Sequence, residues 1–176
     1  MNNRKRKTLP ITLAFYKGMG EGQDRGRKFT SYLIAFWTTI TERKKSNHTH
    51  VEIIFPNGRS FSSSGWDKGV RGKVITYAHP ERWTFVTLMY SEADVDKMLI
   101  HSDSHVGEGY DYKGIAGSLV FPFGLHNANE WFCSEICNHI LGWKPERVTP
   151  ERMLKKLVKR IKSSGGKVDY SVPVNV

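Results

Sequence analysis

Apolar and polar positions alternate in short stretches through the middle of the chain and recur at helical spacing toward its ends. Pro10 to Tyr16 predicts a first strand, closed by Lys17-Gly18-Met19-Gly20. Phe29, Leu33, Phe36 and Trp37 recur at helical spacing and predict a helix from about Asp24 to Thr39. His48 to Phe55 alternates into a β-branched run, and Pro56-Asn57-Gly58 is a hairpin turn signal, with Arg59 to Ser63 as the returning strand. Val70 to Tyr77 and Trp83 to Tyr90 predict two more strands, joined through His79-Pro80.

Ser91-Glu92-Ala93-Asp94 has the form of a capping box and opens a helix carrying Val95, Met98, Leu99 and Val106. Tyr110 to Val120 reads as a short helix, Phe121 to Asn129 as a loop, and Glu130 to Leu141 as a helix stopped by Gly142 and Pro145. Thr149-Pro150-Glu151 begins the last helix with a capping threonine, a proline at its first position and an early acid. That helix has the apolar stripe Met153, Leu154, Leu157, Val158 and Ile161 and ends at Gly165-Gly166. Val168 to Val174 is expected as an edge strand, because Pro173 would interrupt an interior one. Strands in the middle and helices at the ends predict an α+β domain with a mostly antiparallel sheet.

Length and composition keep this to one domain. The 176 residues can bury a sizeable core, and 39% hydrophobic with 12% aromatic content excludes a disordered chain. Residues 1–8, with Arg4 to Lys7, are expected to be a mobile basic tail. The formal charge of +10 favours anionic partners. Its second concentration, Lys155, Lys156, Lys159 and Arg160, is expected to be the solvated face of the last helix, and no nucleic-acid motif accompanies it. A nucleic-acid partner is therefore not favoured. The apolar run from Ile11 to Tyr16 is too short for a signal peptide and no stretch reaches transmembrane length, so cytoplasmic action is expected.

The chemistry begins at Trp131-Phe132-Cys133-Ser134-Glu135-Ile136-Cys137. With Asn127 and Asn129 as capping candidates, Cys133 falls in the first turn of a helix, facing the positive end of the helix dipole and unpaired backbone N–H groups. Both favour a thiolate, and the same N–H groups can hold an oxyanion. Cys137, one turn deeper among Ile136, Ile140 and Leu141, is expected to be a buried structural thiol. Two cysteines four apart on one helix rarely reach disulfide geometry, so reduced thiols are expected.

A thiolate nucleophile calls for a base. His48 and His50 alternate along a strand and so share a face, and Glu52 shares it with them, which suits a carboxylate orienting an imidazole. A metal reading competes, with His48 and His50 joined by Cys133, His126 or His139. No paired ligand motif supports it, and no metal or other cofactor is expected. His79, His101 and His105 read as turn and helix-surface residues.

The ordered set His48-Thr49-His50-Val51-Glu52-Ile53-Ile54-Phe55, Gly58 with Phe61-Ser62-Ser63-Ser64, Gly69-Val70-Arg71, Tyr110-Asp111-Tyr112-Lys113-Gly114 and Trp131-Phe132-Cys133-Ser134-Glu135 resembles a known group. It is similar to the circularly permuted branch of the NlpC/P60 papain-like superfamily, which includes YiiX/YaeF-like and lecithin:retinol acyltransferase-like proteins. In that branch the His-bearing strand precedes the Cys-bearing helix. Phage-encoded proteins share a similar layout, so a viral origin is a further expectation.

The resemblance implies Cys133 as nucleophile and His50 as base. The family's third residue, usually polar and often an acid, falls near Phe61-Ser62-Ser63-Ser64, where this chain has no carboxylate. Either Ser63 or Glu52 then orients His50, with Glu52 favoured on charge. Tyr110, Tyr112, Ser62 and Arg71 are the candidate substrate-binding residues. The expected activity is hydrolysis of amide bonds in a peptide. The alternatives are acyl transfer or thioester cleavage on a lipid or acyl substrate, and a non-catalytic basic protein that inhibits a host factor.

Overall fold

In the computed structural model, which describes residues 7–17, 47–112, 129–146 and 148–173, β1 (Thr8–Lys17) lies between two other strands and is buried from Ile11 to Phe15. Ile11, Leu13 and Phe15 face the main core, and Ala14 faces a smaller cluster with Ile54, Tyr77 and Phe85 on the opposite side. Each fully buried aliphatic or aromatic side chain stabilises the fold by roughly 1.5–3 kcal/mol.

Seven strands form one sheet in the order β5-β1-β2-β3-β4-β6-β7. They are β1, β2 (His48–Ile54), β3 (Arg59–Ser64), β4 (Gly69–Val74), β5 (Trp83–Ser91), β6 (Gly109–Tyr110) and β7 (Glu130–Trp131). All neighbouring pairs are antiparallel except β6 with β7. Three α-helices accompany the sheet among the described residues: α1 (Glu92–His105), α2 (Cys133–Ile140) and α3 (Pro150–Ser163). This is the expected α+β domain with a mostly antiparallel sheet. No helix among the described residues is long and apolar enough to cross a membrane.

The expected helix starts at Ser91 and Thr149 are present as true caps. Ser91 Oγ accepts from Asp94 N at 3.2 Å and Thr149 Oγ1 from Arg152 N at 3.1 Å. The basic side chains of α3 lie on its exposed face, where Lys155 pairs with Glu151 and Lys156 with Glu146.

Several expectations are corrected. The basic tail is shorter at its C-terminal end than residues 1–8: Lys7 pairs with Glu92 at 2.6 Å, and Thr8 already belongs to β1. Val106 is exposed and follows the end of α1. Val168 to Val174 is no strand over its described part, which contributes a single bridge, Asp169 to Thr87. Tyr110 belongs to β6, not to a helix start. The predicted helix from Asp24 to Thr39 and residues 113–128 lie outside the described residues.

The most consequential correction concerns Glu130 to Leu141. Asn129 takes a left-handed backbone (φ 72°), and Glu130 and Trp131 then pair with Gly109 and Tyr110 as a short strand. The helix consequently starts later, with Phe132 at the cap and Cys133 as its first residue. Gly69 permits the neighbouring strand contact, because a Cβ there would stand 2.0 Å from the Glu108 carbonyl oxygen.

Candidate functional site

β2 and β3 are paired only at Ile53–Phe61 and Ile54–Ser60. Toward His50 the ladder stops, and one serine hydroxyl bridges the two strands. Ser62 Oγ donates to the Val51 carbonyl at 2.7 Å, and Ser63 Oγ donates to the Trp131 carbonyl at 2.8 Å. The start of α2 packs at this point, which brings Cys133 to His50.

His50 neighbours the Cys133 side chain and bonds through Nε2 to Glu52 Oε1 at 3.1 Å. Glu52 is almost fully enclosed and every bond it receives is directional. Arg71 donates to both carboxylate oxygens, Nη2 to Oε1 at 2.7 Å and Nη1 to Oε2 at 3.3 Å, and Tyr77 donates to Oε2 at 3.2 Å. Arg71 also reaches Asp67 at 3.0 Å, which Lys73 holds in turn at 2.6 Å. A continuous polar row therefore runs from the thiol through His50 and Glu52 to Arg71 and Asp67.

The electrostatics follow from those partners. Burial pushes the His50 pKa down, but its hydrogen bonds to Cys133 and Glu52 and their negative charge outweigh burial and push it up to about 9. Burial opposes ionisation of Glu52, yet His50 and Arg71 together hold its pKa down at about 2. The Tyr77 phenol is pushed up, by burial first and by Glu52 next, so it stays a neutral donor to the carboxylate. Burial, then the charge of Cys133, raises the Tyr110 phenol well above its usual value. Cys137 is raised well above the usual thiol value by burial and then by Cys133, which suits an inert structural thiol packed against β2.

A cleft of about 610 Å³ opens beside this row, lined by His50, Glu52, Arg71, Tyr77, Trp83 and Tyr110 among others. A flatter depression of about 670 Å³ lies along α3 beside Tyr170, but lysines line it and no Cys or His reaches it. Cys133 has no exposed surface and sits behind the His50 wall of the cleft.

The sequence candidates separate clearly. Cys133, His50 and Glu52 are brought together. Tyr110 lines the cleft, while Tyr112 is half exposed, with its hydroxyl donating to the Gly65 carbonyl at 2.6 Å. Arg71 borders the cleft, but its guanidinium is engaged by Glu52 and Asp67 instead of facing a free anion site. Ser62 and Ser63 are fully buried and their hydroxyls are spent on backbone carbonyls, so neither lines the cleft.

His48 does not share a face with His50. The β1–β2 register shifts between Tyr16 and Lys17, and His48 turns toward α3, bonding Glu151 at 2.6 Å and Thr84 at 2.9 Å. The bulge thus separates the two ligands that a His48–His50 metal site would need, and His126 lies outside the described residues. Sequence reasoning missed Tyr77, which reaches Glu52 from beyond the end of β4 and gave no local signal. It also passed over a cluster of His101, His105 and His139, signalled only by the four-residue spacing of the first two.

No protein-family model, curated protein or solved structure matches the chain.

Proposed function

We infer that the protein is a thiol hydrolase that cleaves amide bonds through an acyl-enzyme on Cys133, carried by a circularly permuted papain-like domain. The observation that carries this reading is His50 held between Cys133, the first residue of a helix, and the fixed carboxylate of Glu52. The permuted order is supported by β2, which bears the histidine, preceding α2, which bears the cysteine.

In this reaction the proton shared by Cys133 and His50 rests on the imidazole as the Cys133 sulfur bonds to the acyl carbon. The carbonyl oxygen becomes an oxyanion against the first N–H groups of α2, where Phe132 at the cap offers no side-chain acceptor. The imidazolium then gives its proton to the leaving amine as the C–N bond breaks. Water, deprotonated by His50, attacks the thioester and frees the acid. Glu52 stabilises the imidazolium and keeps its ring oriented, and the neutral Tyr110 phenol borders the reacting centre.

The test uses an activated ester and then peptides. Incubation with p-nitrophenyl acetate followed by intact-protein and peptide mass spectrometry should find the acetyl group on Cys133, absent from Cys137 and absent in His50→Ala. Peptide turnover should follow the same dependence. Turnover of thioesters alone would move the assignment to the thioesterase and acyltransferase alternative.

A second reading rests on the full burial of Cys133. A basic binding protein that inhibits a host factor needs no accessible nucleophile. It predicts no acyl-enzyme and an unchanged biological effect in Cys133→Ala.

A further inference from the structure

We propose that His101, His105 and His139 form a binding site for a divalent transition cation, zinc foremost, which clamps α1 to the nucleophile-bearing helix α2. His101 and His105 are four residues apart on α1 and therefore share one face, and His139 reaches them from the last turn of α2. One ring nitrogen from each lies within 4.8 Å of the other two. His101 Nε2 and His105 Nε2 are 3.2 Å apart. A tetrahedral zinc with bonds of about 2.0–2.1 Å needs its nitrogens about 3.3 Å from one another. The first pair already has this spacing, and a small rotation of the His139 ring closes the set.

The surroundings act as an outer shell for such an ion. Glu108 accepts from His105 Nδ1 at 2.8 Å, which leaves the lone pair on Nε2, the nitrogen that faces His101. The indole N–H of Trp131 donates to the same carboxylate oxygen, and the Trp131 ring stacks on His139 at 5.1 Å and 18°. Two of the three ligands are thus held by groups that do not themselves bind the ion.

All three imidazoles are partly exposed, so a cation can enter from solvent. A set of three imidazoles without thiolate suits zinc, copper or nickel better than calcium or magnesium, and leaves a fourth position for water. The cluster shares no residue with the Cys133–His50–Glu52 row, so the proposal stands whatever becomes of the hydrolase reading.

The experiment titrates the metal-free full chain, carrying Cys133→Ser to remove the competing thiol, with cobalt chloride and zinc chloride. The expected result is visible absorption of tetrahedral cobalt saturating at one equivalent, its displacement by zinc, and a melting temperature raised several degrees by a zinc excess of about 100 times Kd. His105→Gln and His139→Gln should each weaken binding by about 100-fold, and Glu108→Gln by about tenfold. If His139→Gln fails to fold, His101→Gln on α1 gives the same reading. Absence of saturable binding below about 100 μM, a scale at which three fixed imidazoles should hold zinc, would overturn the proposal. So would binding that survives loss of His105.

Discussion

His50 lies near one end of α2 and His101 and His139 near the other, and their environments drive them in opposite directions. At the start of the helix, His50 stands between Cys133 and Glu52, and its interactions with them overcome burial and lift its pKa to about 9. Near the other end, burial and neighbouring imidazoles lower His101 and His139. One environment favours the charged imidazole, and the other favours the neutral one. Burial opposes the charged form in both cases, so the sign is set by who the neighbours are. A histidine count, or even a map of buried histidines, would not have distinguished them.

The comparison is broken most severely by removing His50. His50→Ala should slow iodoacetamide alkylation of Cys133 near neutral pH by about 100-fold or more, the scale expected of a positioned general base. Cys137 should be slow in both proteins, since its thiol is raised well above the usual value. Rates read at each cysteine by mass spectrometry check this. Equal behaviour of the two thiols, whatever occupies position 50, would end the thiol-hydrolase reading.

Glu52→Ala attacks the same row from its other end. It leaves the Arg71 guanidinium, only 13% exposed, without its main partner. Breaking an enclosed ion pair in this way should cost about 3 kcal/mol in urea unfolding. Arg71→Met should cost less than Glu52→Ala, because His50 and Tyr77 still hold the carboxylate.

The pH dependence of stability sharpens the comparison further. Glu52 has a folded pKa lowered from 4.5 to about 2, so its contribution is present above pH 4.5 and is lost as pH falls toward 2. His50 has a folded pKa raised from 6.5 to about 9, so its contribution is present below pH 6.5 and is lost as pH rises through 9. Stability from this row should therefore be greatest between about pH 4.5 and 6.5. His50→Gln should flatten the alkaline limb of a melting-temperature profile, and an unchanged limb would contradict the ion pair.

Which parts of this arrangement were legible depended on how local their causes are. Strand alternation around Val51 to Phe55, the Ser91 and Thr149 caps and the His50–Glu52 spacing are all written within a few residues. The true start of α2 was not, because Asn129 caps nothing: tertiary pairing of Glu130 and Trp131 with β6 overrides helical propensity there. His48 was placed on the wrong face because a bulge depends on the partner strand. His101 and His105 carried a visible four-residue spacing, but His139 joins them only through the packing of one helix against another.

The smallest effect settles the identity of the third residue. A serine in the run Ser62-Ser63-Ser64 competed with Glu52 to orient His50. Ser63 Oγ donates to the Trp131 carbonyl, so it ties β3 to the strand that leads into the nucleophile helix. Ser63→Ala should then cost about 1 kcal/mol of stability, the net worth of one hydrogen bond with some loss from the orphaned carbonyl. The His50 titration, followed by imidazole NMR, should stay near 9 in Ser63→Ala and fall in Glu52→Gln. The reverse pattern would return the orienting role to the serine and leave Glu52 as a structural partner of Arg71.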